Sequence, residues 1–183
     1  MNINSKSQLN TPFLTTNFQD TSWNNQLNDG LAFTFKDGST LSVRKMNGKD
    51  IIDVLRLEHE IFSDPWSVES FITELQNDHL TPVGFFNNIL AAYAIAQLIT
   101  DELHIHNLAV DPEFRRRGYG STLLWLLLKI ASLNGAKVCY LEVRRSNISA
   151  IALYEKFDFQ IVGIREQYYV KENEDALLMT LSL

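Results

Sequence analysis

The feature that most constrains this chain is the passage from Gly118 to Leu133. Two glycines, Gly118 and Gly120, open onto Ser121–Leu133, a Leu-rich run with Ile and Trp and no internal Gly or Pro. A helix that is apolar on nearly all sides has to lie inside a packed core, and Asn134-Gly135 supplies its C-terminal stop. Entered through a glycine turn, such a helix presents its first backbone N–H groups unpaired. With Arg115, Arg116 and Arg117 beside them, those donors suit a pyrophosphate. The loop lacks the Lys-Ser/Thr ending of a P-loop, and its glycines do not complete a dinucleotide fingerprint. As a bare pattern Arg-x-x-Gly-x-Gly also reads as a structural turn; the strand before it and the helix after it favour the phosphate.

Patterning on either side predicts a mixed α/β (α+β) fold. Leu31–Phe35 alternates apolar and polar residues, and Lys36-Asp37-Gly38-Ser39 predicts a turn into a strand over Leu41–Arg44. Ile51, Ile52, Leu55, Glu58, His59 and Phe62 lie near helical spacing, and that helix has to end before Pro65. Ser67 is placed to cap a second helix with Phe71, Ile72 and Leu75 on its buried face. Strands follow over Thr81–Phe86 and Leu90–Ile99, joined by Asn87-Asn88, and over Leu103–Val110. After the long helix come a strand at Val138–Val143, a short helix at Ile148–Phe157, and strands at Phe159–Ile164 and Ala176–Leu181. Three consecutive strands before the glycine loop exclude a Rossmann alternation. A mixed sheet with helices on both faces remains.

The 183 residues fit one domain, with residues 41–183 as its body and residues 1–40 as an N-terminal extension. The first 30 or so positions are rich in Asn, Gln, Ser and Thr without periodicity, which predicts an irregular arm. A partner-binding or dimerising arm is the alternative. The formal net charge of −6 argues against a nucleic-acid surface and suits a cationic partner better. A single cysteine, Cys139, allows no intrachain disulfide and fits a reducing, cytoplasmic compartment. The start, MNINSKSQLN, lacks the apolar core of a signal peptide. The apolar run Leu123–Leu128 is too short to span a bilayer.

Asn107-Leu108-Ala109-Val110-Asp111-Pro112 followed by Arg115-x-x-Gly118-x-Gly120 resembles the coenzyme A segment of the GNAT acetyltransferases. Leu141-Glu142-Val143-Arg144-x-Ser146-Asn147 and then Ala150-Ile151-Ala152-Leu153-Tyr154-Glu155 resemble the RimI-type branch, as do Phe62-Ser63-Asp64-Pro65-Trp66-Ser67 and Arg165-x-x-Tyr168-Tyr169. The resemblance covers roughly residues 41–183. It implies the GNAT fold, a mostly antiparallel sheet whose one splayed parallel pair of strands holds acetyl-coenzyme A. It also implies acetylation of a protein N-terminus, in this branch the N-terminal alanine of a small-subunit ribosomal protein. Glu142 would be the proton acceptor and Tyr154 the proton donor. Backbone at Leu108, Ala109 and Val110 would hold the acetyl and pantetheine portion. Arg115, Arg116, Arg117, Gly118, Tyr119, Gly120 and Ser121 would hold the pyrophosphate, and Asn147 would be a further cofactor ligand. Trp66, His106, Tyr168 and Tyr169 would line the acceptor cleft. Arg165-Glu166-Gln167 departs from the branch's Arg-Arg-Asn and changes the charge beside that cleft.

The chemistry of the residues agrees with this. Acetyl transfer to an amine needs a base for the ammonium form, and a peptide α-amine with a pKa of about 8 asks little of it. Glu142 sits among Tyr140, Leu141 and Val143, where desolvation raises a carboxylate's pKa; a carboxylate facing solvent or paired with an arginine is the other reading. Tyr154 is either a packed aromatic or a phenol able to donate a proton to a thiolate. Asn147 is also placed to cap the short helix.

Other groups attract attention and carry less. Cys139 lies in an apolar strand and is expected to be a buried, structural thiol. His104 and His106 share a strand face but lack a third ligand, so no metal is expected. Glu102 and His106 instead suit the acceptor cleft. Tyr168 and Tyr169 are expected on opposite faces of a strand, one against substrate and one packed. Acetylation of a small amine, and a non-catalytic acyl-coenzyme A-binding module, remain the competing functions. The presence of both Glu142 and Tyr154 weighs against the module, since cofactor binding alone needs neither.

Overall fold

The computed structural model describes residues 13–14, 27–77 and 79–183, so the arm assigned to the first 30 positions lies largely outside the described residues. The strands are β1 (Phe13–Leu14), β2 (Leu31–Thr34), β3 (Thr40–Lys45), β4 (Pro82–Phe86), β5 (Ile89–Ile99), β6 (Glu102–Val110), β7 (Val138–Arg144), β8 (Gln160–Tyr169) and β9 (Glu174–Ser182). Among the described residues, the α-helices α1 (Ile51–Ile61), α2 (Val68–Gln76), α3 (Tyr119–Leu133) and α4 (Ile148–Glu155) interleave with them. The strands form one sheet in the order β1-β2-β3-β4-β5-β6-β7-β9-β8. Among these pairings, β6 with β7 is parallel and the rest are antiparallel. The mixed, mostly antiparallel sheet with a single parallel pair is thus as the sequence implied.

Local chemistry explains the boundaries. Asn87 and Asn88 both take positive φ, 50° and 64°, the paired left-handed turn that joins twisted antiparallel strands. Ser67 Oγ accepts the Ser70 N–H at 3.2 Å and caps α2. Arg44 grips Asp50 with two bonds of 2.7 Å, tying β3 to the entry of α1. Helix α3 buries Leu123, Leu124, Leu126, Leu127, Leu128 and Ile130 on one face of the sheet. At about 2 kcal/mol per buried aliphatic side chain, it is the main apolar anchor of that layer. Helices α1 and α2 cover the other face through Val54, Leu57 and Phe71, against Tyr93, Ile95 and Ala109.

Two readings of the sequence need correction. Leu27, Leu31 and Phe33 are buried in the α3-side core, with Phe33 edge-on to Trp125 at 6.2 Å between ring centroids. The packed unit therefore begins before residue 41, because β2 is a full member of the sheet. Strand β8 also continues past Ile164 to Tyr169, and its register against β9 slips between Arg165 and Tyr169. Gln167 has φ 51° inside this bulge. Strand alternation is lost there, and Tyr168 and Tyr169 meet edge to face with ring centroids 5.2 Å apart rather than on opposite faces.

Candidate active site

The site begins where the parallel pair comes apart. Strands β6 and β7 pair from Glu102↔Val138 to Ile105↔Leu141. Beyond that point Asn107–Val110 pair only with β5, and Glu142–Arg144 only with β9. A bulge marks the parting: Ile95 faces Asn107 and Ala96 faces Ile105, so His106 is the extra residue on β6. An extra residue reverses the side-chain alternation. Leu103 and Ile105 join the α3-side core, whereas Asn107 and Ala109 turn toward α1 and α2, and Leu108 and Val110 take over the α3 side.

A cleft of ≈ 310 Å³ opens between the separated strands. It brings together His106 and Leu108 from β6, Glu142 from β7, Asn147 and Tyr154 from the start and end of α4, and Tyr169 from β8. Asn147 caps α4 as expected, accepting the Ala150 N–H at 3.2 Å. Tyr154 is 6% exposed and packs on Phe159. Burial pushes its phenol well above the ordinary tyrosine value, so it keeps its proton throughout the neutral range.

Glu142 is not in the dry setting that its apolar neighbours suggested. Its side chain is 31% exposed, and Arg165 Nη1 lies 2.7 Å from its Oε1. The arginine-paired reading is the one found. Arg165 also stacks over Tyr168 at 4.9 Å. Desolvation, then the neighbouring Glu142 carboxylate, raises the Tyr168 phenol.

The glycine loop stands at the N-terminus of α3. Gly118 has φ 92°, and its carbonyl receives the first helical bond, from Thr122 at 2.9 Å. The N–H groups of Tyr119, Gly120 and Ser121 therefore have no intrahelical acceptor. At Gly120 a side chain would come within 3.2 Å of Val110 Cγ2, which is why the helix can start this close to β6. The arginines divide. Arg115 Nε donates to the Val110 carbonyl at 3.2 Å, Arg116 is exposed with φ 63°, and Arg117 lies over Phe86 and Phe114 at 5.5 Å. The Tyr119 side chain is buried among Phe35, Phe86 and Phe114, so only its backbone is available.

Trp66 sits 6.5 Å from the His106 ring, centroid to centroid, above the α1 side of the cleft. What holds it there is a residue that sequence reasoning placed on the helix stripe and gave no role. Glu58 is 1% exposed and accepts from the Trp66 N–H at 3.0 Å, from Asn107 Nδ2 at 3.2 Å and from the Tyr93 hydroxyl. The available signal was a carboxylate on the apolar i, i+3, i+4 face with Val54 and Leu57. Arg144, also unassigned, stacks over Tyr169 at 4.3 Å and bonds both Ser63 Oγ and Glu172. It joins the loop after α1 to the turn between β8 and β9. Cys139 is buried as expected, and desolvation raises its thiol. His104 pairs with Glu102 at 2.8 Å and stacks on Tyr140. No group of three His, Cys, Asp or Glu among the described residues could hold a metal.

The two strands part to leave facing backbone edges, with a helix N-terminus beside them and a carboxylate and a buried phenol in the same cleft. A profile of the acetyltransferase (GNAT) family matches residues 51–159, and the chain belongs to that family. It is 35% identical over 147 residues to a ribosomal protein bS18-alanine N-acetyltransferase of Salmonella typhimurium, covering 79% of this chain and 98% of that protein. A putative enzyme of the same name from Bacillus subtilis is 35% identical over 147 residues, 78% of this chain and 95% of its own. The crystal structure of the ribosomal-protein-S18-alanine N-acetyltransferase from Escherichia coli superposes with a TM-score of 0.72 at 34% identity, over 78% of this chain and 93% of that one.

Proposed function

We propose that this chain transfers the acetyl group of acetyl-coenzyme A to the α-amine of a protein N-terminus, and that its acceptor is the N-terminal alanine of ribosomal protein bS18, a basic partner for a chain of net charge −6. The observation that carries this reading is the convergence of Glu142 and Tyr154 on one cleft, in a chain 35% identical to a relative named for that activity.

The residues present fit the donor. The free edge of β6 from Asn107 to Val110 can pair with the pantetheine amides as an added strand would. The unpaired amides of Tyr119, Gly120 and Ser121, with the nearby Arg115 and Arg116, suit its pyrophosphate. Asn147 lines the same cleft as Tyr154. When bound, acetyl-coenzyme A supplies an acetyl thioester and a thiolate leaving group.

Glu142 takes the proton of the acceptor ammonium, directly or through a water. Tyr154 Oη, protonated at neutral pH, is the donor for the departing sulfur. A backbone N–H of Leu108, Ala109 or Val110 polarises the thioester carbonyl. Trp66, His106, Tyr168 and Tyr169 form the acceptor side. The test is intact-mass analysis of peptides with varied N-termini incubated with enzyme and acetyl-coenzyme A. Ala-starting peptides should be acetylated once, at the α-amine, and faster than internal lysines, whose amine with a pKa of about 10.4 is far less often neutral. Faster turnover of lysine side chains or free polyamines would overturn the reading.

A further inference from the structure

We infer that His106 is a second proton acceptor in the acceptor cleft, sharing with Glu142 the removal of the proton from the incoming ammonium; this rests on the acetyl-transfer reading above. The argument is geometric first. His106 is the extra residue of the β6 bulge, at the point where β6 and β7 part, and its exposed side chain lines the same cleft as Glu142 and Tyr154. Bulges re-aim side chains. Here the bulge turns an imidazole toward the space between the strands while Asn107 is drawn back to Glu58.

The two acceptors differ in how committed they are. Glu142 Oε1 already receives Arg165 Nη1 at 2.7 Å, and the Tyr168 phenol lies against the same carboxylate. His106 meets Trp66 ring to ring at 6.5 Å, and neither of its ring nitrogens hydrogen-bonds a described residue. A nitrogen lone pair thus remains for a proton.

The charged groups around the imidazole come from every side. Glu74 of α2 and Glu142 of β7 favour its protonation; His79 after α2 and His104 of β6 oppose it. Glu74 is itself engaged by His79 Nδ1 at 2.5 Å. Desolvation is the largest influence, and it lowers the imidazole below its ordinary value. In the step, one N–H bond of the acceptor ammonium breaks and its proton goes to a ring nitrogen of His106. The electron pair stays on the amine nitrogen, ready for the acetyl carbon, and the imidazolium returns its proton to solvent.

The experiment is kcat/KM against pH for the parent and His106→Gln, with an Ala-starting peptide and saturating acetyl-coenzyme A. The variant should lose about tenfold near pH 7, less than the roughly hundredfold or more of a lone general base because Glu142 remains. It should approach the parent near pH 9, where about nine in ten α-amines are already neutral. Acetyl-coenzyme A affinity should be unchanged. A parental rate and profile in folded His106→Gln overturns the inference. His106→Phe, which keeps a ring against Trp66, must show the same loss. A parent that acetylates no peptide α-amine overturns the functional reading instead, so the two failures are distinct.

Discussion

Arg165 Nη1 lies 2.7 Å from Glu142 Oε1 and joins the β8 bulge to β7 at the mouth of the cleft. The two side chains are 54% and 31% exposed, so solvent screens much of their attraction. Such a pair contributes under about 1 kcal/mol. Arg165→Gln should therefore shift the thermal midpoint by no more than about 4 °C in a domain of this size. Calorimetry of the variant checks this. A larger loss would make the pair a structural clasp and remove Glu142 from consideration as a freely reacting group.

Gly118 stands at φ 92°, and an added β-carbon there would meet Phe35 Cε1 at 3.1 Å. A left-handed β-carbon costs about 1–2 kcal/mol on its own, before the ring is displaced. Gly118→Ala should lose at least that much in chemical denaturation. The carboxylate of Gly118→Asp would also oppose an anion at the start of α3. The parent should gain about 2.7 kcal/mol from acetyl-coenzyme A at a hundred times its Kd, and folded Gly118→Asp should gain little. An undiminished gain would detach the pyrophosphate from this loop.

Glu58 carries a pH dependence whose sign follows from its burial. Desolvation raises its pKa above the ordinary 4.5, outweighing the donors Trp66 and Asn107. A carboxyl raised on folding contributes stability that is full below its unfolded pKa and is lost as pH rises through the folded one. Glu58→Gln imitates the protonated form at every pH. The midpoint of the parent minus that of the variant should therefore fall as pH is raised from about 4 toward neutrality. A difference that grows with pH would mean that the hydrogen bonds outweigh burial.

These residues also indicate what the sequence could convey. Helix α3, the Asn87-Asn88 turn and the Ser67 cap were legible because each depends on local composition or spacing. The splayed pair at the cleft was legible only through family resemblance, since strand pairing is set by distant residues. Nothing local announced the bulge at His106. It exists because Ile105 is needed in the α3-side core and Asn107 beside Glu58, a conflict between two packing layers. The environment of Glu142 was misjudged for a related reason. Apolar neighbours along a strand say nothing of what the adjacent strand contributes, and Arg165 comes from β8, across β9. The tyrosine pair failed because alternation assumes an unbroken ladder, and Gln167 breaks it.

The division of labour between Glu142 and Tyr154 gives the most direct test of the mechanism. Glu142→Gln keeps shape and hydrogen bonding but cannot take the ammonium proton. Its kcat/KM should fall on the order of a hundredfold at neutral pH, tempered by whatever His106 supplies. Raising the pH should partly restore it, because solution then provides neutral amine. Tyr154→Phe should lose a similar factor, and higher pH should not rescue it, since the missing element is a proton donor. The buried phenol is raised above its ordinary value, so the parent should not lose this donor as pH passes through the range where exposed tyrosines ionise. Both variants should bind acetyl-coenzyme A nearly as the parent does, because the contacts proposed at β6 and the start of α3 would be intact. The measurement is kcat/KM against pH for the three proteins, with cofactor affinity as the folding control. Near-parental activity in either variant would remove that residue from the mechanism. If both stayed active, catalysis would rest on positioning the amine and thioester alone, and the cleft would keep only its cofactor site.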